Sequence, residues 1–86
     1  MNIEIAALDA LIDNPESIKQ ISDSLEYFGF HIDDCSKKKL VDSLLEKEYI
    51  RIYYVESDST SYNDAWYEIT VSGKKMWETY VKNNLL

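Results

Sequence analysis

At 86 residues the chain has the size of one domain, and a composition 45% hydrophobic and 13% aromatic is enough to build a core. Sixteen acidic against nine basic residues leave a net charge of −7, which repels phosphate at long range and favours basic protein partners. The lone cysteine, Cys35, excludes an internal disulfide and a thiolate-built metal site, and no apolar run approaches the ~18 residues of a membrane span.

The chain starts with Glu4 and Asp9 and lacks the basic region of a signal peptide, so the expected location is cytoplasmic. The first helix signal is "IEIAALDALID", in which Ile5, Leu8, Leu11 and Ile12 recur at helical spacing while Glu4, Asp9 and Asp13 face away. Asn14-Pro15 stops it, because the residue before proline avoids the α region. A second helix follows in "ESIKQISDSLEYF", with Ile18, Ile21, Leu25 and Phe28 on one face and Gly29 as its terminator. After the turn "FHIDD", Asp33 or Asp34 caps a third helix, "CSKKKLVDSLLEKE", whose buried stripe is Leu40, Val41, Leu44 and Leu45.

At Tyr49 the hydrophobic period changes from helical to two. "YIRIYYV" sets Ile50, Ile52 and Tyr54 opposite Tyr49, Arg51, Tyr53 and Val55; "AWYEITV" sets Tyr67, Ile69 and Val71 opposite Trp66, Glu68 and Thr70. The two strands flank the acidic tip "VESDSTSYNDA" and form a hairpin with a long loop. A final helix, "GKKMWETYVKNN", starts near Gly73 and turns Met76, Trp77, Tyr80 and Val81 inward. The expected fold is α+β, mostly α, in the order α-α-α-β-β-α, with residues 1–86 forming a single domain.

That order resembles a winged helix-turn-helix domain, in which the third helix is followed by a β-hairpin wing. "SIKQISDSL" is similar to the second helix of such domains, and "KKKLVDSLLEKEYIRIYY" to the recognition helix running through a tight corner into the wing. "WYEITVSGKKMWE" is similar to the return strand, where Ile-Thr-x-x-Gly opens the last helix: Thr70 can cap that helix and Gly73 permits close approach. The layout looks like that of the small MarR-like and PadR-like regulators. The resemblance implies DNA binding through helix 34–47, where Ser36, Lys37, Lys38, Asp42 and Ser43 fall outside the apolar stripe with Lys39 near its edge; Ser36, Lys37, Lys38, Lys39, Ser43 and Arg51 are the candidate contacts, and a homodimer is one option.

Three departures from that pattern direct the functional expectation elsewhere. Glu48 stands where such regulators often have glycine, the wing carries acids where lysine or arginine is usual, and Arg51 is the chain's only arginine. The main expectation is therefore a non-enzymatic module for a basic protein partner, in an immunity- or antitoxin-like role. Its binding residues would be Glu56, Asp58 and Asp64 on the wing with Tyr53 and Trp66 on the strands. A DNA-binding regulator is the alternative. His31 and Cys35 lack the accompanying groups of a nucleophile pair, and "ESDSTSYND" lacks the glycine and terminal glutamate of a calcium loop. The expected state of these two is a packed cysteine with a solvated histidine, and no catalytic residue, cofactor or metal is assigned.

Overall fold

The computed structural model describes residues 2–55 and 65–84, the side chain of Asn84 excepted. Helix α1 (Ile3–Leu11) starts where the Asn2 side chain accepts the Ile5 N–H at 2.8 Å. It buries Ile5, Ala6, Ala7, Leu8 and Leu11, a wider band than one amphipathic stripe. The reason is its position: α2, α4 and the sheet all pack on it, and the two alanines let neighbours approach from more than one side. Asp9 does not face away as its spacing predicts. Its carboxylate accepts the Trp77 indole N–H at 2.9 Å, tying α1 to the last helix.

Among the described residues there are three strands where the sequence predicts two. Glu16–Ser17, β1, pairs antiparallel with β3 (Ala65–Ile69), which in turn pairs with β2 (Ile50–Val55), giving the order β1-β3-β2. Ser17 then serves as N-cap of α2 (Ile18–Tyr27) through a reciprocal capping box with Gln20, so the helix begins two residues later than its pattern suggests. Ile18, Ile21 and Leu25 are buried as expected, but Phe28 is not. It sits at the C-cap, and its ring meets exposed Tyr27 edge-on at 5.5 Å. Gly29 takes φ +91°, and the N–H groups of Gly29 and Phe30 return to the carbonyls of Glu26 and Leu25.

Helix α3 (Asp34–Glu46) buries Leu40, Val41 and Leu44, with Leu45 half-buried at the edge. It ends through the same pair of backbone bonds, now with Glu48 at φ +61°: Glu48 N–H to the Leu45 carbonyl and Tyr49 N–H to that of Leu44. Strand β2 follows, opposite β3 in the register Ile50↔Ile69, Arg51↔Glu68 and Ile52↔Tyr67. A bulge then intervenes, and Tyr54 pairs with Trp66 and Val55 with Ala65. Because one extra residue reverses all later faces, Val55 joins the Ile50 side and Tyr54 the Arg51 side, the opposite of the simple alternation. Ile52, Tyr53 and Tyr54 are all more than half exposed, whereas Ala65 and Tyr67 on the central strand are buried.

Helix α4 (Val71–Asn84) begins two residues before Gly73. Thr70 and Val71 therefore leave the strand: the Thr70 hydroxyl caps the helix by accepting the Gly73 N–H at 3.1 Å, and Val71 is 74% exposed. Gly73 is buried against the corner, where a Cβ would collide with the Tyr49 carbonyl oxygen. Trp77 and Tyr80 continue this inner face; Met76, expected beside them, points outward.

Candidate nucleic-acid interface

The third helix is set by its first residue outside and its stripe within. Asp33 is the N-cap, its carboxylate accepting the Ser36 N–H at 2.8 Å. That backbone bond, and then a bond from the Ser36 hydroxyl, hold the Asp33 carboxyl below its ordinary pKa, with help from the charges of Lys39 and Lys37. A lowered carboxyl contributes stability above its unfolded pKa and loses it as pH falls through the lowered value. With the stripe fixed on the core, the opposite side of α3 is left to solvent. Ser36, Lys38, Lys39 and Asp42 are exposed there, while Lys37 and Ser43 are half-buried.

The cations on this side are accompanied by acids. The Lys38 ammonium lies 2.9 Å from Asp42 one turn on, and that of Lys37 lies 3.7 Å from Asp34. At the base of the hairpin the Arg51 guanidinium meets Glu68, its cross-strand partner, at 2.8 Å. At the far end of α3, Lys47 donates to both carboxylate oxygens of Glu4 at 2.8 and 3.0 Å, which raises its pKa above the ordinary lysine value. This last pair fastens the third helix to the first.

Between α2 and α3 runs a groove of about 390 Å³ lined by Ile18, Lys19, Ser22, Asp23, Glu26, Asp34 and Lys37. Its polar α2 residues, Lys19, Ser22, Asp23 and Glu26, carry no role in the sequence pattern, because the groove they share with α3 exists only in the folded chain.

Ser36, Lys37, Lys38, Lys39 and Ser43 thus share one helix, with Arg51 on the adjoining strand. Of the other expected set, only Tyr53 and Trp66 fall among the described residues. Glu56, Asp58 and Asp64 lie outside the described residues; Tyr53 is exposed beside the bulge, and Trp66 is half-buried opposite Tyr54. Tyr49, expected on their face, packs half-buried on the core. His31 is solvated as expected, but Cys35 is exposed on the first turn of α3 rather than packed, because the stripe begins only at Leu40. Among the described residues no group of His, Cys, Asp and Glu could hold a metal ion, and no helix is long and apolar enough to cross a membrane.

No family model matches the chain, and no curated protein matches it significantly. Its structure is similar to that of a PadR-family transcription regulator from Clostridium difficile, with a TM-score of 0.79 at 17% identity over 94% of this chain and 84% of that one. A protein from Thermoplasma acidophilum described as a transcriptional regulator has a TM-score of 0.74 at 22% identity, over 91% and 73% of the two chains. A transcriptional regulator from Clostridium thermocellum has 0.73 at 19%, over 94% and 78%.

The fold is a winged helix, PadR-like in layout, as its order of elements implied. The functional expectation is corrected. A module of immunity type for a basic protein partner finds no counterpart among these structures, all of which are described as regulators of transcription. The net charge of −7 sums over the whole chain and does not report the charge of any one face.

Proposed function

We propose that this protein is a non-enzymatic, cytoplasmic transcription regulator that binds DNA through the outer side of α3. The observation that carries this reading is the likeness, over 94% of the chain, to a regulator whose class of fold uses its third helix for the major groove. The arrangement of α3 agrees with it. Its first turn is capped by Asp33, its far end is fastened to α1 by the Lys47–Glu4 pair, and Ser36, Lys38 and Lys39 stand in solvent on a helix whose other side is locked into the core. Lys37, Ser43 and Arg51 flank them. A homodimer would present two such helices and read a two-fold symmetric site.

The charge budget makes this a weak binder of unselected DNA. Lys37, Lys38, Lys39 and Arg51 offer few phosphate contacts, and each contact adds only about 0.9 to the slope of log affinity against log salt. Sequence-specific contacts must then supply much of the affinity. The test is selection of duplexes from a random library, followed by mobility-shift titration. An enriched motif should bind far more tightly than random duplex, and a Lys38→Glu, Lys39→Glu variant should lose at least tenfold in affinity for it, by the order expected for two lost cation contacts. Failure of the protein to enrich any motif even at low salt overturns the reading.

A further inference from the structure

Lys38 and Asp42 form an exposed ion pair on the proposed DNA side of α3. Their polar atoms stand 2.9 Å apart, and both side chains are more than half accessible. Such a pair adds little to folding, since exposed i,i+4 pairs are screened by water. Its chemistry is more particular. A lysine ammonium beside a carboxylate is one donor and one acceptor at hydrogen-bond spacing. The major-groove edge of a C·G base pair presents the complement: the O6 and N7 acceptors of guanine next to the N4 donor of cytosine. An ammonium has three N–H donors and a carboxylate several lone pairs, so a paired lysine and aspartate can together meet a base pair without breaking their own contact.

We infer that Asp42 is a specificity-determining residue of the proposed interface, accepting from cytosine N4 while Lys38 donates to the guanine of the same base pair. This rests on the proposed DNA-binding reading and deepens it. Asp42 has a second effect on any other sequence. Elsewhere its negative charge meets a phosphate, the acceptor edge of guanine, or an adenine amino group flanked on both sides by the acceptors N7 and thymine O4, and opposes binding. Lys37 beside Asp34 and Arg51 beside Glu68 show the same design, in which a cation that would otherwise hold any phosphate is accompanied by an acid. The carboxylates exchange general affinity for discrimination.

The test compares Asp42→Asn with Glu78→Gln. Both raise the net charge by one, but Glu78 is an exposed residue of α4, away from the third helix. Binding of each to random duplex is titrated at 0.1 M monovalent salt, and each is put through the same library selection as the native chain. Asp42→Asn should bind random duplex about five- to tenfold more tightly, the gain on the order of one released phosphate contact at that salt. It should also lose one C·G position from the selected motif. Glu78→Gln should change random binding less than twofold and reproduce the native motif.

Equal gains for the two variants would reduce the effect to net charge and overturn the inference, as would an Asp42→Asn variant that selects the native motif unchanged. Those results leave the regulator reading standing if the native chain enriches a motif. If the native chain enriches none, both fall.

Discussion

The corner after α2 and the corner after α3 reverse the chain with the same pair of backbone hydrogen bonds and a residue of positive φ, yet they are built from opposite materials. At the first, Gly29 holds φ +91° and nothing lies within 4 Å of where its Cβ would be. At the second, Glu48 holds φ +61°, and the glycine is Gly73, a helical residue pressed onto the Tyr49 carbonyl. One glycine is needed for its dihedral freedom and the other for its lack of volume. The first corner is open and leads into the proposed DNA-contacting turn of α3. The second is a junction of three elements, where the Thr70 hydroxyl donates to the Glu48 carbonyl at 2.6 Å and accepts from Gly73 at 3.1 Å, and the Thr70 N–H donates to Tyr49 at 3.0 Å. The wing and the last helix are aligned there together.

The largest effect should follow from breaking that difference with Gly73→Ala. Alanine is the better helix former by about 1 kcal/mol, so propensity alone favours the change. Against it, the new methyl meets a backbone oxygen that is already accepting the Thr70 N–H, and a backbone atom cannot rotate aside like a side chain. Overpacking of this kind should dominate, at the upper end of its usual range, with a net loss of about 2 kcal/mol in denaturant-unfolding stability. If the variant is as stable as the native chain, the close approach is not a constraint on the fold.

Gly29→Ala separates the two glycines. With open space at its Cβ the substitution meets no obstacle, and the cost is conformational: an alanine in the left-handed region is disfavoured by roughly 1–2 kcal/mol, partly offset by a less flexible unfolded chain. A net loss of about 1 kcal/mol is expected by chemical denaturation. Gly29→Asn should recover part of it, because asparagine tolerates this backbone region. Gly73→Asn should recover nothing relative to Gly73→Ala. Rescue at both sites, or at neither, would erase the distinction.

The second corner was also the more legible of the two in function. Thr70 as cap and Gly73 as the residue of close approach follow from the Ile-Thr-x-x-Gly pattern that the resemblance picks out, and local capping logic narrows the start of α3 to Asp33 or Asp34, of which the structure uses Asp33. Glu48 could be recognised as the glycine-like position only through the family pattern. What escaped was set by partners distant in sequence. Strand β1 has two residues and no periodicity to betray it, and exists because β3 offers an edge. The bulge near Tyr53 is invisible in an alternating run, yet it reverses Tyr54 and Val55. Asp9 reads as a solvated acid until Trp77, 68 positions later, arrives beside it. Arg51 and Glu68 meet only through the strand register.

The smallest effect, and the one of opposite sign, should come from Glu48→Gly. Glu48 occupies a left-handed conformation with a side chain exposed to solvent. Glycine removes the contact between Cβ and the following carbonyl oxygen that makes this region costly, a gain of about 1–2 kcal/mol. It also enlarges the set of unfolded conformations, which returns roughly 0.5–1 kcal/mol of that gain. The hydrogen bonds at this position come from the backbone: the Glu48 N–H donates to Leu45, and its carbonyl accepts from Thr70. They survive the substitution. The net expectation is a stabilisation of about 0.5–1 kcal/mol, visible as a higher denaturation midpoint with an unchanged slope. The Thr70→Val background sharpens the measurement, because it removes the hydroxyl that pins the Glu48 carbonyl and with it one restraint on the left-handed turn. If Glu48→Gly stabilises the native chain but gains nothing when Thr70 is valine, the two positions are coupled and the turn is held by Thr70 rather than by its own residue. If Glu48→Gly destabilises both chains, the side chain of Glu48 makes a compensating interaction, and the two corners differ by more than where each keeps its glycine.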